Sequence, residues 1–218
     1  MIDAVLFDVD GTLVDSNDLH AAAWQEAFRH FGIVLPYGRI RGQIGKGGDN
    51  LIPSLLPQEI AGRLQDEIES FRSDLFKRDY LHKARPFAGA GDLLRRLHED
   101  DTKLVLATSA QQDELDFHIE RLGCRDFLTA TTTRDDVAHS KPCPDIFEAA
   151  LDKVMPLNGG TAVVVGDTPW DIEAAARLGV PAVAVRCGGF EEEELSGAAA
   201  IYDGPQDLIA TYPGWLQA

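Results

Sequence analysis

Phe7-Asp8-Val9-Asp10-Gly11-Thr12-Leu13-Val14-Asp15-Ser16 continues the apolar run Ala4-Val5-Leu6-Phe7. A short, unbroken apolar run bounded by glycine reads as a buried parallel strand. Asp8 and Asp10 then emerge at its C-terminal end, where open α/β sheets bind ligands. Gly11 lets the backbone turn sharply. Two carboxylates so close repel each other unless a cation is bound or one holds a proton. One can serve as nucleophile while the other shuttles protons. On a bare surface the same Asp-x-Asp would be a solvated turn. The strand behind it and Gly-Thr-Leu ahead of it favour a site.

Working outward, strand-like runs recur at Lys103–Thr108, Leu128–Thr131, Thr161–Gly166 and Ala182–Val185, with a short edge candidate at Ala200–Tyr202. Helical stretches separate them at Ala90–His98, Glu114–Leu122, Asp145–Val154 and Ile172–Leu178. Helix stops fall at Gly32, Gly123, Gly159-Gly160 and Gly179. Alternating strands and helices predict an α/β fold, a Rossmann-like, doubly wound parallel sheet. Residues 17–83 break the rhythm. His20, Trp24, Ala27, Phe28 and Phe31 form a helical stripe, Asp49–Leu56 reads as a short helix capped by Asp49, and Gln58–Arg78 as a long amphipathic one. The expected organisation is a core of residues 1–16 and 84–218 carrying an inserted all-helical cap at 17–83, with return near Arg85-Pro86. The acidic run Glu191–Glu194 is expected to start a solvated helix.

The chain has 218 residues and is 44% hydrophobic, enough for one core with a modest insertion. Its net charge of −16 argues against nucleic acid or an anionic membrane as partner. Cys124, Cys143 and Cys187 are odd in number and widely spaced. That fits neither a disulfide framework nor a CxxC metal site, and predicts a reducing cytoplasm. There is no basic stretch ahead of the first strand and no apolar run of membrane-spanning length, so neither signal peptide nor membrane anchor is expected. Nothing in the sequence sets the oligomeric state.

Three further segments carry chemistry. Leu104–Thr108 ends in Thr108-Ser109, whose hydroxyls and backbone N–H groups could hold phosphate oxygens. Lys141 stands in Ser-Lys-Pro-Cys-Pro-Asp, before a proline-rich helix start, and could neutralise a nucleophile and a transferring phosphoryl group. In Gly166-Asp167-Thr168-Pro169-Trp170-Asp171 a carboxylate projects from a strand tip, with a second four residues on. Such oxygens suit Mg²⁺, which takes hard ligands and keeps several waters.

In order and placement these four segments resemble the haloacid dehalogenase-like superfamily of aspartate-nucleophile phosphohydrolases, in its capped phosphoglycolate-phosphatase and β-phosphoglucomutase-like branch. The resemblance implies that Asp8 forms an aspartyl-phosphate, and that Asp10 protonates the leaving oxygen and then activates water. It implies Mg²⁺ on Asp8, the Asp10 main chain and Asp167, supported by Asp171, with Gly11, Thr108, Ser109 and Lys141 around the phosphate. The dehalogenases of the superfamily lack a carboxylate at the second position of the first motif, so Asp10 favours phosphate chemistry. The expected substrate is a small phosphorylated metabolite.

Specificity is expected from the cap, which excludes water on closing. Within it, Ile44-Gly45-Lys46-Gly47-Gly48-Asp49 could place Lys46 on a substrate anion or be an ordinary glycine-rich turn; it lacks P-loop spacing. His20, beside the catalytic turn, is similar to the histidine of the β-phosphoglucomutases, or simply packs at a hinge. A sugar-phosphate mutase is therefore the alternative, opposed by Gly166-Asp167 where mutases tend to carry Glu-Asp. A non-catalytic binder on the same scaffold is a third reading, opposed by the intact acidic and lysine set. His30, His82, His98, His118 and His139 show no ligand spacing and are expected at the surface or in the cap.

Overall fold

The computed structural model describes residues 2–157 and 160–217, so the expected stop at Gly159 lies outside the described residues. The chain runs β1 (Ile2–Phe7), β2 (Val14–Asp15), α1 (Asn17–His30), α2 (Tyr37–Arg41), α3 (Gly48–Leu55), α4 (Gln58–Asp79) and β3 (Arg85–Pro86). It continues through α5 (Ala90–Glu99), β4 (Lys103–Ala107), α6 (Gln112–Leu122), β5 (Ala130–Thr132), α7 (Asp145–Asp152) and β6 (Thr161–Gly166). It ends with α8 (Pro169–Arg177), β7 (Ala182–Val185), β8 (Ala200–Tyr202) and α9 (Pro205–Ala210).

Six strands form a parallel sheet in the order β5-β4-β1-β6-β7-β8. The chain winds from β1 through β4 to β5 and then crosses to β6, so β1 sits at the reversal of strand order. Phe7 is in register with Leu106 on one side and Val165 on the other. The tips of β1, β4 and β6 therefore lie side by side, which brings Asp8, Thr108 and Asp167 to one crevice.

The two-residue period of the strands explains the layers. Val5, Phe7, Leu104, Leu106, Val163 and Val165 face one side, packed with Leu93, Leu94 and Leu97 of α5. Ala4, Leu6, Val105, Val164 and Ala184 face the other, packed with Ile146 and Phe147 of α7. Both faces are covered, as parallel sheets require.

Between β2 and β3 the described chain is helical, with its own apolar cluster of Trp24, Phe28, Ile40, Leu51, Ile52 and Ile68. β2 and β3 pair antiparallel, Val14 with Pro86 and Asp15 with Arg85, and tie the block's two connections together.

Several local expectations shift. The strand expected at Leu128–Thr131 begins at Ala130, because Leu128 follows a tight turn at Arg125–Phe127. Gly47, not Asp49, caps α3; the Asp49 carboxylate instead accepts from Ser140 N at 2.9 Å. Glu191–Glu194 form an exposed turn rather than a helix start, closed where Glu191 N donates to Glu194 Oε2 at 3.0 Å. Cys124, Cys143 and Cys187 are unpaired. No helix among the described residues is long and apolar enough to cross a membrane.

Candidate active site

The turn after β1 is held by its own backbone: Leu13 N and Val14 N donate to Val9 O, and Gly11 N donates to Val14 O at 2.7 Å. Gly11 has φ +84°, and a Cβ there would lie 2.3 Å from Asp167 Oδ2. Only glycine fits both the backbone and the space.

Asp8 is 5% exposed, and Lys141 is fully buried against it. Lys141 Nζ lies 2.5 Å from Asp8 Oδ1 and 2.7 Å from Asp171 Oδ1. Burial pushes the Asp8 carboxyl up to about 7; Lys141 pulls it down, and Asp171 and Asp10 push it further up. For Lys141, burial opposes the charge, but Asp171 and Asp8 outweigh it and hold the ammonium protonated. The other oxygen of Asp171 accepts from Thr168 N and from the Thr168 hydroxyl at 2.6 Å, a capping box that starts α8. Asp171 is thus committed to Lys141 and to the helix start.

Asp167 is held from two sides. Thr12 Oγ1 lies 3.0 Å from its Oδ1 and 3.1 Å from Asp8 Oδ2, and Asn17 Nδ2 donates to its Oδ2 at 2.7 Å. Burial raises the Asp167 carboxyl well above its ordinary value, with Asp8 and Asp171 adding. Oxygens of Asp8, Asp167 and Asp171 fall within 4.8 Å of one another. Three buried carboxylates sharing one lysine leave negative charge uncompensated, and the donors are all hard oxygens. That set fits a divalent cation of the Mg²⁺ type.

Asp10 faces the cavity over the sheet. Its Oδ1 accepts from Ser16 Oγ at 2.6 Å and lies 2.9 Å from His20 Nε2 and 3.7 Å from His118 Nε2. Arg72 of α4 binds His20 Nδ1. A guanidinium only donates, so Nδ1 accepts and the ring proton sits on Nε2, directed at Asp10. Burial works to raise the Asp10 carboxyl, yet His20, His118 and Ser16 together hold it well below the ordinary carboxylate range. At rest it is an anion, the form a general base needs.

Thr108 is buried, with its hydroxyl 3.4 Å from Asp10 Oδ2 and accepting from Ala110 N at 3.0 Å. Ser109 Oγ is buried without a partner among the described residues. Asp8, Asp10, His20, Thr108 and Ser109 line one cavity of about 80 Å³, roofed by Gly45–Gly48. Lys46 belongs to that roof, but its ammonium is turned to Gln43 Oε1 at 2.7 Å, Ser54 Oγ at 3.1 Å and the face of Trp170, 3.8 Å from the ring centroid.

The structure thus gathers Asp8, Asp10, Gly11, Thr108, Ser109, Lys141, Asp167, Asp171 and His20, and sets the Lys46 ammonium aside. His118 corrects an expectation: it is 1% exposed and beside Asp10, because it shares the buried face of α6 with Leu115, Ile119 and Leu122. His30, His82, His98 and His139 are exposed. Thr12, Asn17, Arg72 and Gly188 were not singled out from sequence. For Thr12 and Asn17 the signal was their place in the first turn. Gly188 accepts from Asn17 Nδ2 at 2.9 Å, and a Cβ on it would lie 1.8 Å from Asp167 Oδ2.

The chain is similar to known proteins over most of its length. A Streptomyces hygroscopicus subsp. limoneus protein named validoxylamine A 7′-phosphate phosphatase is 28% identical over 180 residues, 83% of this chain and 84% of its own. A Rhodospirillum rubrum phosphoglycolate phosphatase is 29% identical over 98% of this chain and 90% of its own. A crystal structure of a hydrolase from Pseudomonas syringae superposes with a TM-score of 0.87 at 32% identity, covering 96% of this chain and 97% of that one. The family model for haloacid dehalogenase-like hydrolases matches residues 5–185, from within β1 to the end of β7. The chain belongs to the haloacid dehalogenase-like hydrolase family.

Proposed function

We propose that the protein is a Mg²⁺-dependent phosphatase of a small phosphorylated metabolite, acting through an aspartyl-phosphate on Asp8. The observation that carries this is the placement of Asp8 against the buried Lys141, with Asp10 two residues on and facing the same cavity. The phosphatase names of the two relatives support it.

An Asp8 carboxylate oxygen attacks phosphorus and the bond to the ester oxygen breaks. That oxygen takes a proton from Asp10, whose carboxyl is raised when an anionic phosphate sits beside it. Asp10 then removes a proton from water as the water attacks the aspartyl-phosphate, freeing phosphate and restoring Asp8. Lys141 offsets charge on Asp8, and the hydroxyls of Thr108 and Ser109 hold phosphate oxygens. A divalent cation on Asp8, Asp167 and the Asp10 main-chain oxygen would neutralise the transferring group further. Residues 17–83 act as the cap, with Gly45–Gly48 excluding water.

A sugar-phosphate mutase is kept as a second reading because His20 contacts Asp10 at 2.9 Å. One assay separates the two. Phosphate release is measured from phosphoglycolate, sugar phosphates and nucleotides with and without Mg²⁺, while glucose 1-phosphate is followed for conversion to glucose 6-phosphate. Mg²⁺-dependent release supports the phosphatase. Isomerisation without net release supports the mutase, and silence in both supports a binding role.

A further inference from the structure

Besides Ser109 Oγ, two buried side-chain atoms at the cavity lack a hydrogen-bond partner among the described residues. Glu114, in the first turn of α6, is 1% exposed and lines the cavity beside Thr108 and Ser109. Its Oε2 has no hydrogen-bond partner among the described residues. Arg72, reaching in from α4, lines the same cavity. It spends one amino group on His20, while its Nε is buried and also without a partner among the described residues. Burial raises the Glu114 carboxyl and the Arg72 charge works against it, yet among the described residues no hydrogen bond joins the two.

Buried polar atoms are nearly always satisfied, so an orphaned acceptor and an orphaned donor on one cavity point to a ligand group that serves both. A hydroxyl does so, donating to the carboxylate and accepting from the guanidinium. A carboxylate accepts from Arg72 but can donate nothing, and beside the ionised form of Glu114 it sets two like charges together in a low-dielectric space. Neither residue belongs to the Asp8, Thr108, Lys141 and Asp167 set that handles the phosphoryl group. They line the same cavity as Thr108 and Ser109 and so reach the part of a bound ester that the phosphate-holding groups leave free. Trp24, 5% exposed, supplies an apolar wall to the same space.

We propose that Glu114 and Arg72 form a hydroxyl-reading subsite, which makes the substrate a phosphate monoester of a sugar or other polyol and disfavours carboxylate-bearing esters such as phosphoglycolate. This rests on the phosphatase reading above. Discrimination of this kind is strong because an analogue without the hydroxyl leaves the buried groups unpaired.

The test is kcat/KM for glucose 6-phosphate, glycerol 3-phosphate and phosphoglycolate, measured for the wild type, Glu114→Gln and Glu114→Asp, with a thermal melt of each. The wild type is expected to prefer at least one polyol ester to phosphoglycolate by about a hundredfold. In both variants that ratio is expected to fall by about tenfold or more, chiefly through KM. A purely structural role would lower all three substrates alike and leave the ratio unchanged, which overturns the assignment. A wild type that prefers phosphoglycolate overturns it as well. A folded wild type that releases phosphate from no ester removes the phosphatase reading, and the subsite with it.

Discussion

Lys141 Nζ stands 2.7 Å from Asp171 Oδ1, and both side chains are shut off from water. The contact orients the amine, whose other partner is Asp8 at 2.5 Å. Removing it would leave buried carboxylates facing one another. Lys141→Met is therefore expected to cost about 3–5 kcal/mol of stability and to lower kcat by about a hundredfold or more. Denaturant unfolding with parallel kinetics checks this, and a stable variant of normal turnover would remove Lys141 from the chemistry.

Asp8→Asn should abolish turnover while the fold survives, since the amide oxygen can still accept from Lys141. Burial disfavours the Asp8 charge, so the variant should melt no lower than the wild type. Residual activity within about tenfold of wild type would refute the nucleophile assignment.

The acidic cluster makes stability depend on pH in a defined direction. The Asp8 carboxyl titrates near 7 in the folded protein against an ordinary value of 3.8. A raised carboxyl contributes stability that is complete below its unfolded value and is lost as pH rises through its folded value. Without divalent metal the melting temperature should fall between about pH 5 and pH 8 from this source. A cation binds the ionised form, so added Mg²⁺ should raise the melting temperature more at about pH 8 than at about pH 5. Equal gains at the two pH values would argue against metal at these carboxylates.

Gly188→Ala tests the loop that presses on Asp167. Its Cβ would lie 1.8 Å from Asp167 Oδ2, so the loop or the carboxylate must move. A loss of about 1–3 kcal/mol is expected, together with a higher Mg²⁺ requirement for activity. A variant with wild-type metal dependence would show that Asp167 tolerates displacement.

The strands and their acidic tips were legible because their signals are local: an apolar run, a glycine, a carboxylate. β6 and β7 fall at the expected residues, and β1 and β4 differ only at their ends. Glu114 and His118 were not legible as site residues. Glu114 only opens an expected helix, and His118 is expected at the surface or in the cap; the packing of Leu115, Ile119 and Leu122 into the core turns both inward. Arg72 is one of many charges along α4, and nothing in its spacing marks it as the one that meets His20. Gly188 reads as a plain turn after β7 until Asn17 and Asp167 are placed against it. What escaped the sequence is what depends on contacts between residues far apart in the chain.

Val14–Asp15 and Arg85–Pro86 run side by side, so the chain leaves the sheet layer and rejoins it at nearly one point. The helices between them hang from a paired stalk and interrupt no strand of the six-stranded sheet. In evolutionary terms they are a cassette: they can be lengthened, exchanged or trimmed to a short link without re-threading the sheet beneath. The carboxylates at the strand tips can then stay fixed while the helices above them change.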